Sequence, residues 1–184
     1  MNFTYQEPDA ARGGECTMKI LVISDSHGRM AALREAVQAQ TDASMLLFLG
    51  DGDREIDVLR GELPPTMPMI AVRGNNDWAS REPDDRVLEE CGVRIMMTHG
   101  HKYHVKWGLD EAIAAARAQN AQILLYGHTH VPFNEYRDGL YIMNPGSVGF
   151  PDMGPRTYGV IELRPQGILT NIVPIESDRD YYKR

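Results

Sequence analysis

The chain has 184 residues, 42% of them hydrophobic and 24% charged, which suits one globular domain with a core of useful size. Its formal net charge of −7, with no run of Lys and Arg, argues against a protein that wraps nucleic acid. No apolar stretch approaches the length of a membrane span, and no basic region leads into an apolar one at the N-terminus, so neither a membrane protein nor a secreted one is expected.

Residues 1–17 read as a disordered tail: polar, punctuated by Pro8, Gly13 and Gly14, and without periodicity. The domain is expected over 18–176, followed by a charged tail over 177–184. The two cysteines, Cys16 and Cys91, are too few for a disulfide scaffold and lack zinc-finger spacing, so reduced thiols in a cytoplasmic protein are expected. Short apolar runs at Lys19–Ser24, Met45–Leu49, Pro68–Val72, Val93–Met97 and Gln122–Tyr126 suit buried strands. Met30, Leu33 and Val37 share a face of a helix over Met30–Gln40. Leu109, Ile113 and Ala116 do the same over Leu109–Gln119. Strands alternating with helices predict an α/β fold. The last third reads as antiparallel β: Phe133–Tyr136 and Leu140–Met143 flank the turn signal Asp138-Gly139, and Thr157–Leu163 and Ile168–Ile175 flank Pro165-Gln166-Gly167.

The residues just past the ends of the five apolar runs carry the chemistry: Asp25-Ser26-His27-Gly28, Gly50-Asp51, Gly74-Asn75-Asn76, His99-Gly100-His101 and Gly127-His128-Thr129-His130. Strand C-terminal ends form the functional edge of an α/β sheet, and glycine lets backbone approach a ligand closely. Each piece alone reads as turn chemistry; five in order do not. Two carboxylates, one amide and four imidazoles suit Mn²⁺, Fe²⁺, Zn²⁺ or Ni²⁺ better than a Ca²⁺ or Mg²⁺ cage, and seven ligands exceed the needs of one such ion. If the segments are extended, Asp25 pairs with His27 and His128 with His130, two residues apart on one face.

This series resembles the calcineurin-like metallophosphoesterases. Met18–Gly28, Thr98-His99-Gly100-His101, Gly127–His130 and Asn144-Pro145-Gly146-Ser147 are similar to the small YfcE-type phosphodiesterases, a branch related to the retromer scaffold subunit. The resemblance implies a four-layer α/β/β/α sandwich, two facing mixed sheets flanked by helices. It implies that Asp25, His27 and His130 hold one divalent ion, that Asn75, His99 and His128 hold a second, and that Asp51 bridges them, with Mn²⁺ the first expectation. The activity it implies is hydrolysis of a small phosphate ester, a diester by preference, by hydroxide generated at the metals. A homo-oligomer is compatible with this reading. The competing expectation is a non-catalytic scaffold of the retromer type.

One position departs from the wider family: Asn76 stands where many relatives have His. An amide donates a hydrogen bond but is no acid at pH 7. Asn76 and His101 join Asp51 and Asn75 as candidate catalytic residues. His104 reads as a surface histidine. Asn144-Pro145-Gly146-Ser147 can border the site or be a plain turn, and Arg156 and Arg73 are candidate phosphate contacts or surface charges.

Overall fold

Alternation along the strands decides the layering. In β1 (Met18–Ile23), Leu21 and Ile23 face one way and Ile20 and Val22 the other, and all four are fully buried. Such a strand needs cover on both faces. The computed structural model describes residues 16–178. In chain order β1 is followed by α1 (Met30–Gln38), β2 (Met45–Phe48), α2 (Asp53–Glu62), β3 (Met69–Ala71), β4 (Asp85–Glu90), β5 (Val93–Thr98), a 3-10 turn (His101–Tyr103), α3 (Asp110–Ala118), β6 (Ile123–Leu125), β7 (Phe133–Arg137), β8 (Leu140–Asn144), β9 (Thr157–Arg164) and β10 (Gly167–Pro174).

The strands form two five-stranded sheets, ordered β10-β9-β1-β2-β3 and β4-β5-β6-β8-β7. β1, β2 and β3 are parallel, as are β5, β6 and β8; the outer strands join antiparallel. Ala32, Leu33, Ile56 and Leu59 of α1 and α2 cover Leu21, Ile23 and Phe48 on one side. Ile20, Val22 and Leu47 pack against Ile95, Ile123 and Met143 between the sheets. Ala112 and Ala116 of α3 cover Met96, Leu124 and Ile142 on the far side. These are the four layers of an α/β/β/α sandwich.

Some expectations change. The last third is not purely antiparallel, because β8 leaves its hairpin with β7 to run parallel beside β6. α2 and β4 have no counterpart among the predicted elements. The first turns only Ile56 and Leu59 inward and exposes Val58, and the second is a charged edge strand. Of the predicted tails, 1–15 and 179–184 lie outside the described residues. Cys16 and Cys91 are not free thiols: they form a disulfide with Cα atoms 5.5 Å apart, because the chain entering β1 passes beside the β4–β5 turn. No described helix is long and apolar enough to cross a membrane.

Asp84 ties the β3–β4 connection together. It pairs with Arg73 at 2.7 Å and also with Lys102. The Arg73 guanidinium foremost, helped by Lys102 against the opposing effect of burial, holds the Asp84 carboxyl down to about 2. That lies below an unfolded value of about 3.9. The contribution to stability is therefore present above about pH 4 and is lost as pH falls through about 2. Asp84→Asn should lower the urea midpoint at pH 7 and lower it much less near pH 2. An equal shift at both pH values would count against the ion pair.

Candidate metal centre

Each predicted strand end delivers its residues to one rim, and the two sheets are joined there. Asp25 N–H donates to Gly50 O at 3.0 Å, tying β1's end to β2's, and Gly127 N–H donates to His99 O at 3.0 Å, tying β6's to β5's. His99 Nδ1 crosses between sheets to Leu49 O at 2.7 Å, and the His128 N–H reaches Asp25 Oδ2 at 3.1 Å. The loops are not extended, contrary to the expected face-sharing of Asp25 with His27 and of His128 with His130. Asp25, His27, Asp51, His128 and His130 all have positive φ, between 42° and 67°. The pairs are aimed by tight left-handed bends instead. Glycine has a specific reason at two positions. A Cβ on Gly74 would overlap Asp51 Oδ1, and one on Gly127 would overlap Ser24 Oγ and meet Asp25 Oδ2 at 2.8 Å.

The side chains converge in two overlapping groups: Asp25, His27 and His130, and Asp25, Asp51 and His99. Asp25 Oδ1 lies 3.2 Å from His130 Nε2, 3.8 Å from His27 Nε2 and 4.0 Å from His99 Nε2. Asp51 Oδ2 stands between the groups, 3.7 Å from His27 Nε2 and 3.5 Å from His99 Nε2. Asn75 Oδ1 faces His99 Nε2 at 3.1 Å, and the His128 ring stands edge-on to His99 with centroids 5.0 Å apart.

The donor set fits divalent cations. A carbonyl only accepts, so the contacts of His99 Nδ1 with Leu49 O and of His130 Nδ1 with Phe150 O, both 2.7 Å, place the proton on Nδ1 in each ring. Both Nε2 atoms of the neutral rings then present lone pairs inward. His99 Nε2 thereby faces the Asn75 oxygen, acceptor against acceptor, and His130 Nε2 faces Asp25 Oδ1 in the same way at 3.2 Å, with His27 Nε2 also 3.2 Å away. Asp25 Oδ1 is buried with no hydrogen-bond partner. Such facing acceptors need a cation between them or a proton on a ring. Asp25 raises the proton affinity of His130, against the opposing effect of burial. Burial opposes ionisation of Asp25, yet His130, His99 and Ser24 together hold its carboxyl below the usual range. Burial, helped by His99 and Lys106, pushes His128 down to about 4, so its ring is neutral at pH 7 and free to ligate.

Several supporting residues escaped the sequence reading. Asp77, 3% exposed, accepts the N–H groups of Asp51 at 2.8 Å, Gly52 at 2.9 Å and Gly74 at 2.7 Å, binding the β2 and β3 loops together. Its signal was an Asp three residues after Gly in Gly74-Asn75-Asn76-Asp77, a turn-capping pattern. Ser24 Oγ donates to Asp25 Oδ2 at 2.5 Å. Asn144-Pro145-Gly146-Ser147, which the sequence left between a site border and a plain turn, is a buried clamp under the site: Asn144 donates to Gly127 O and Ser147 to Asp25 O.

Among the other candidates, Asn76 turns its amide onto Asp51, Nδ2 to Oδ2 at 2.6 Å, with its N–H on Oδ1 at 2.9 Å. His101 stands beside His99 and His128, its ring 5.5 Å from the first and 6.2 Å from the second. Its Nδ1 is buried without a partner, and burial together with His99 lowers its proton affinity. His104 is a surface residue contacting Glu111. Arg73 is held by Asp84, and Arg156 donates to Ser177.

Residues 18–166 match the calcineurin-like phosphoesterase superfamily domain. The chain is 31% identical over 147 residues to the probable metallophosphoesterase YsnB of Bacillus subtilis, covering 79% of this chain and 85% of that protein. It is 32% identical over 188 residues to the phosphodiesterase YfcE of Escherichia coli, covering 84% of this chain and 97% of that protein. Its fold is similar to that of vacuolar protein sorting 29 from Cryptosporidium parvum, with a TM-score of 0.73 at 18% identity over 89% of this chain and 94% of the other. Sandwich, strand-end residues and relatives agree that this chain belongs to the calcineurin-like phosphoesterase superfamily.

Proposed function

We propose that the chain is a binuclear metal-dependent phosphoesterase, a phosphodiesterase by preference, acting on a small phosphate ester. In this reading Asp25, His27 and His130 hold one divalent ion, Asn75, His99 and His128 hold the second, and Asp51 is shared. The observation that carries it is the convergence of lone pairs and carboxylates on one rim: Asp25 Oδ1 without a hydrogen-bond partner, His130 Nε2 facing His27 Nε2, and His99 Nε2 facing Asn75 Oδ1. Bound divalent ions supply Lewis acidity toward phosphoryl oxygens and a water nucleophile near neutral pH. The chain's own residues fix the rest. The Leu49 and Phe150 carbonyls set the tautomers of His99 and His130, and Asp77 holds the Asp51 and Gly74 backbones. Asn76 brings a donor but no acid, which favours esters with good leaving groups.

Mn²⁺ is our first choice of metal, with Fe²⁺, Zn²⁺ and Ni²⁺ compatible with the ligands. Purified protein with Mn²⁺ should hydrolyse bis-p-nitrophenyl phosphate, and chelation should stop it. No turnover with any of the four ions would favour a second reading, a non-catalytic interaction module. One observation speaks for that reading: Trp78 and Trp107, 89% and 91% exposed, stand in the loops after Asn75 and His99. We also propose the cytoplasm as the compartment, to be checked by fractionation; there the Cys16–Cys91 bond meets reducing conditions.

A further inference from the structure

Resting on the phosphoesterase reading, we propose that Arg29, seated on the Phe150 ring beside His27, is a substrate-binding residue that takes the non-bridging oxygens of the phosphate group. The guanidinium carbon lies 4.4 Å from the Phe150 centroid. Phe150 in turn stands 6.3 Å from the His27 ring, and its carbonyl accepts the His130 Nδ1 proton. Two loops, one before α1 and one after β8, thus hold a cation at the edge of the candidate metal centre.

The alternatives are engaged elsewhere. Arg73 belongs to Asp84, and Arg156 turns to Ser177, whose N–H binds Glu35 on α1. Arg29 makes no ion pair with any described residue, so its guanidinium edge is available. A guanidinium stacked by one face keeps its planar fork of donors open, a shape matched to two phosphate oxygens. The placement also runs against helix stability. Arg29 is the N-cap of α1, a helix with no acidic residue in its first turn, so a positive side chain adjoins the positive end of the helix. The ring contact offsets part of that cost, and a bound anion would answer both.

The test uses the full chain loaded with Mn²⁺, in wild-type form and as Arg29→Ala, Arg29→Lys and Phe150→Leu. Inorganic phosphate is titrated by calorimetry, metal content is measured, and KM and kcat are separated on bis-p-nitrophenyl phosphate. Arg29→Ala should weaken phosphate binding and raise KM by about tenfold each, with metal content unchanged and kcat nearly so. Arg29→Lys should restore part of the affinity, and Phe150→Leu should fall between wild type and Arg29→Ala. Thermal midpoints of the Arg29 variants should match or exceed wild type. If wild type binds phosphate and Arg29→Ala binds it equally well, or if Arg29→Ala loses metal, the arginine assignment is overturned while the phosphoesterase reading stands. If wild-type protein takes up metal but binds no phosphate, both fall.

Discussion

On the proposed binuclear reading, Asp51→Asn is expected to lower bound divalent metal from two ions per chain toward one and to reduce hydrolysis of an activated diester by at least about a hundredfold. The carboxylate is 3% exposed and faces both halves of the centre, His27 on one side and His99 on the other. Both oxygens already accept a hydrogen bond from Asn76. An amide replaces one of those oxygens with a donor. In either orientation the amide NH₂ meets an Asn76 donor, and in one of them the oxygen facing His27 and His99 is lost from that position as well. The backbone of Asp51 stays fixed by Asp77, so the variant should fold. Plasma mass spectrometry after dialysis, run beside the diester assay, decides the matter. Two retained ions with an undiminished rate would falsify the shared role of Asp51.

Asp77→Ala should cause the largest loss of stability, on the order of 3–5 kcal/mol. Its carboxylate is the acceptor for three loop N–H groups, and removing it strands them where water has little access. An unsatisfied buried donor costs about 1–3 kcal/mol. The expected total is a large share of a typical net stability of about 5–15 kcal/mol. Asp77→Asn, which keeps one accepting oxygen, should fall between. Urea unfolding reads the difference directly, and a midpoint for Asp77→Ala indistinguishable from wild type would remove Asp77 from this role.

The parts that the sequence disclosed are those with local signals. β1, β2 and β5 are mostly apolar runs, broken only by Lys19 in β1 and by Arg94 and Thr98 in β5, and each leads into polar residues that no packing argument requires. The four-layer arrangement came from family resemblance, because periodicity cannot say which sheet a strand joins. β8 makes the point: its hairpin signal was correct, yet its other edge lies parallel against β6. α2 was missed because a helix with only two inward apolar residues leaves a weak pattern. Asp77 was passed over because its contacts join loops distant in sequence, and local sequence left Asn144-Pro145-Gly146-Ser147 between a site border and a plain turn, because Ser147 reaches Asp25 across 122 positions. The disulfide was missed for the same reason, since nothing local brings Cys16 to Cys91.

The left-handed backbone at Asp25, His27, Asp51, His128 and His130 bears on how this fold can change. Such a conformation costs a residue with a Cβ roughly 1–2 kcal/mol, less for Asp than for His. Five of them in one rim weigh on the order of 5 kcal/mol against folding. The sandwich carries that load for the sake of the rim's geometry. Replacing these residues with glycine would relieve the load, so selection for stability and selection for the site pull in opposite directions. A lineage freed from the chemistry could shed the ligands and keep the sandwich, which makes this architecture ready material for purposes other than hydrolysis.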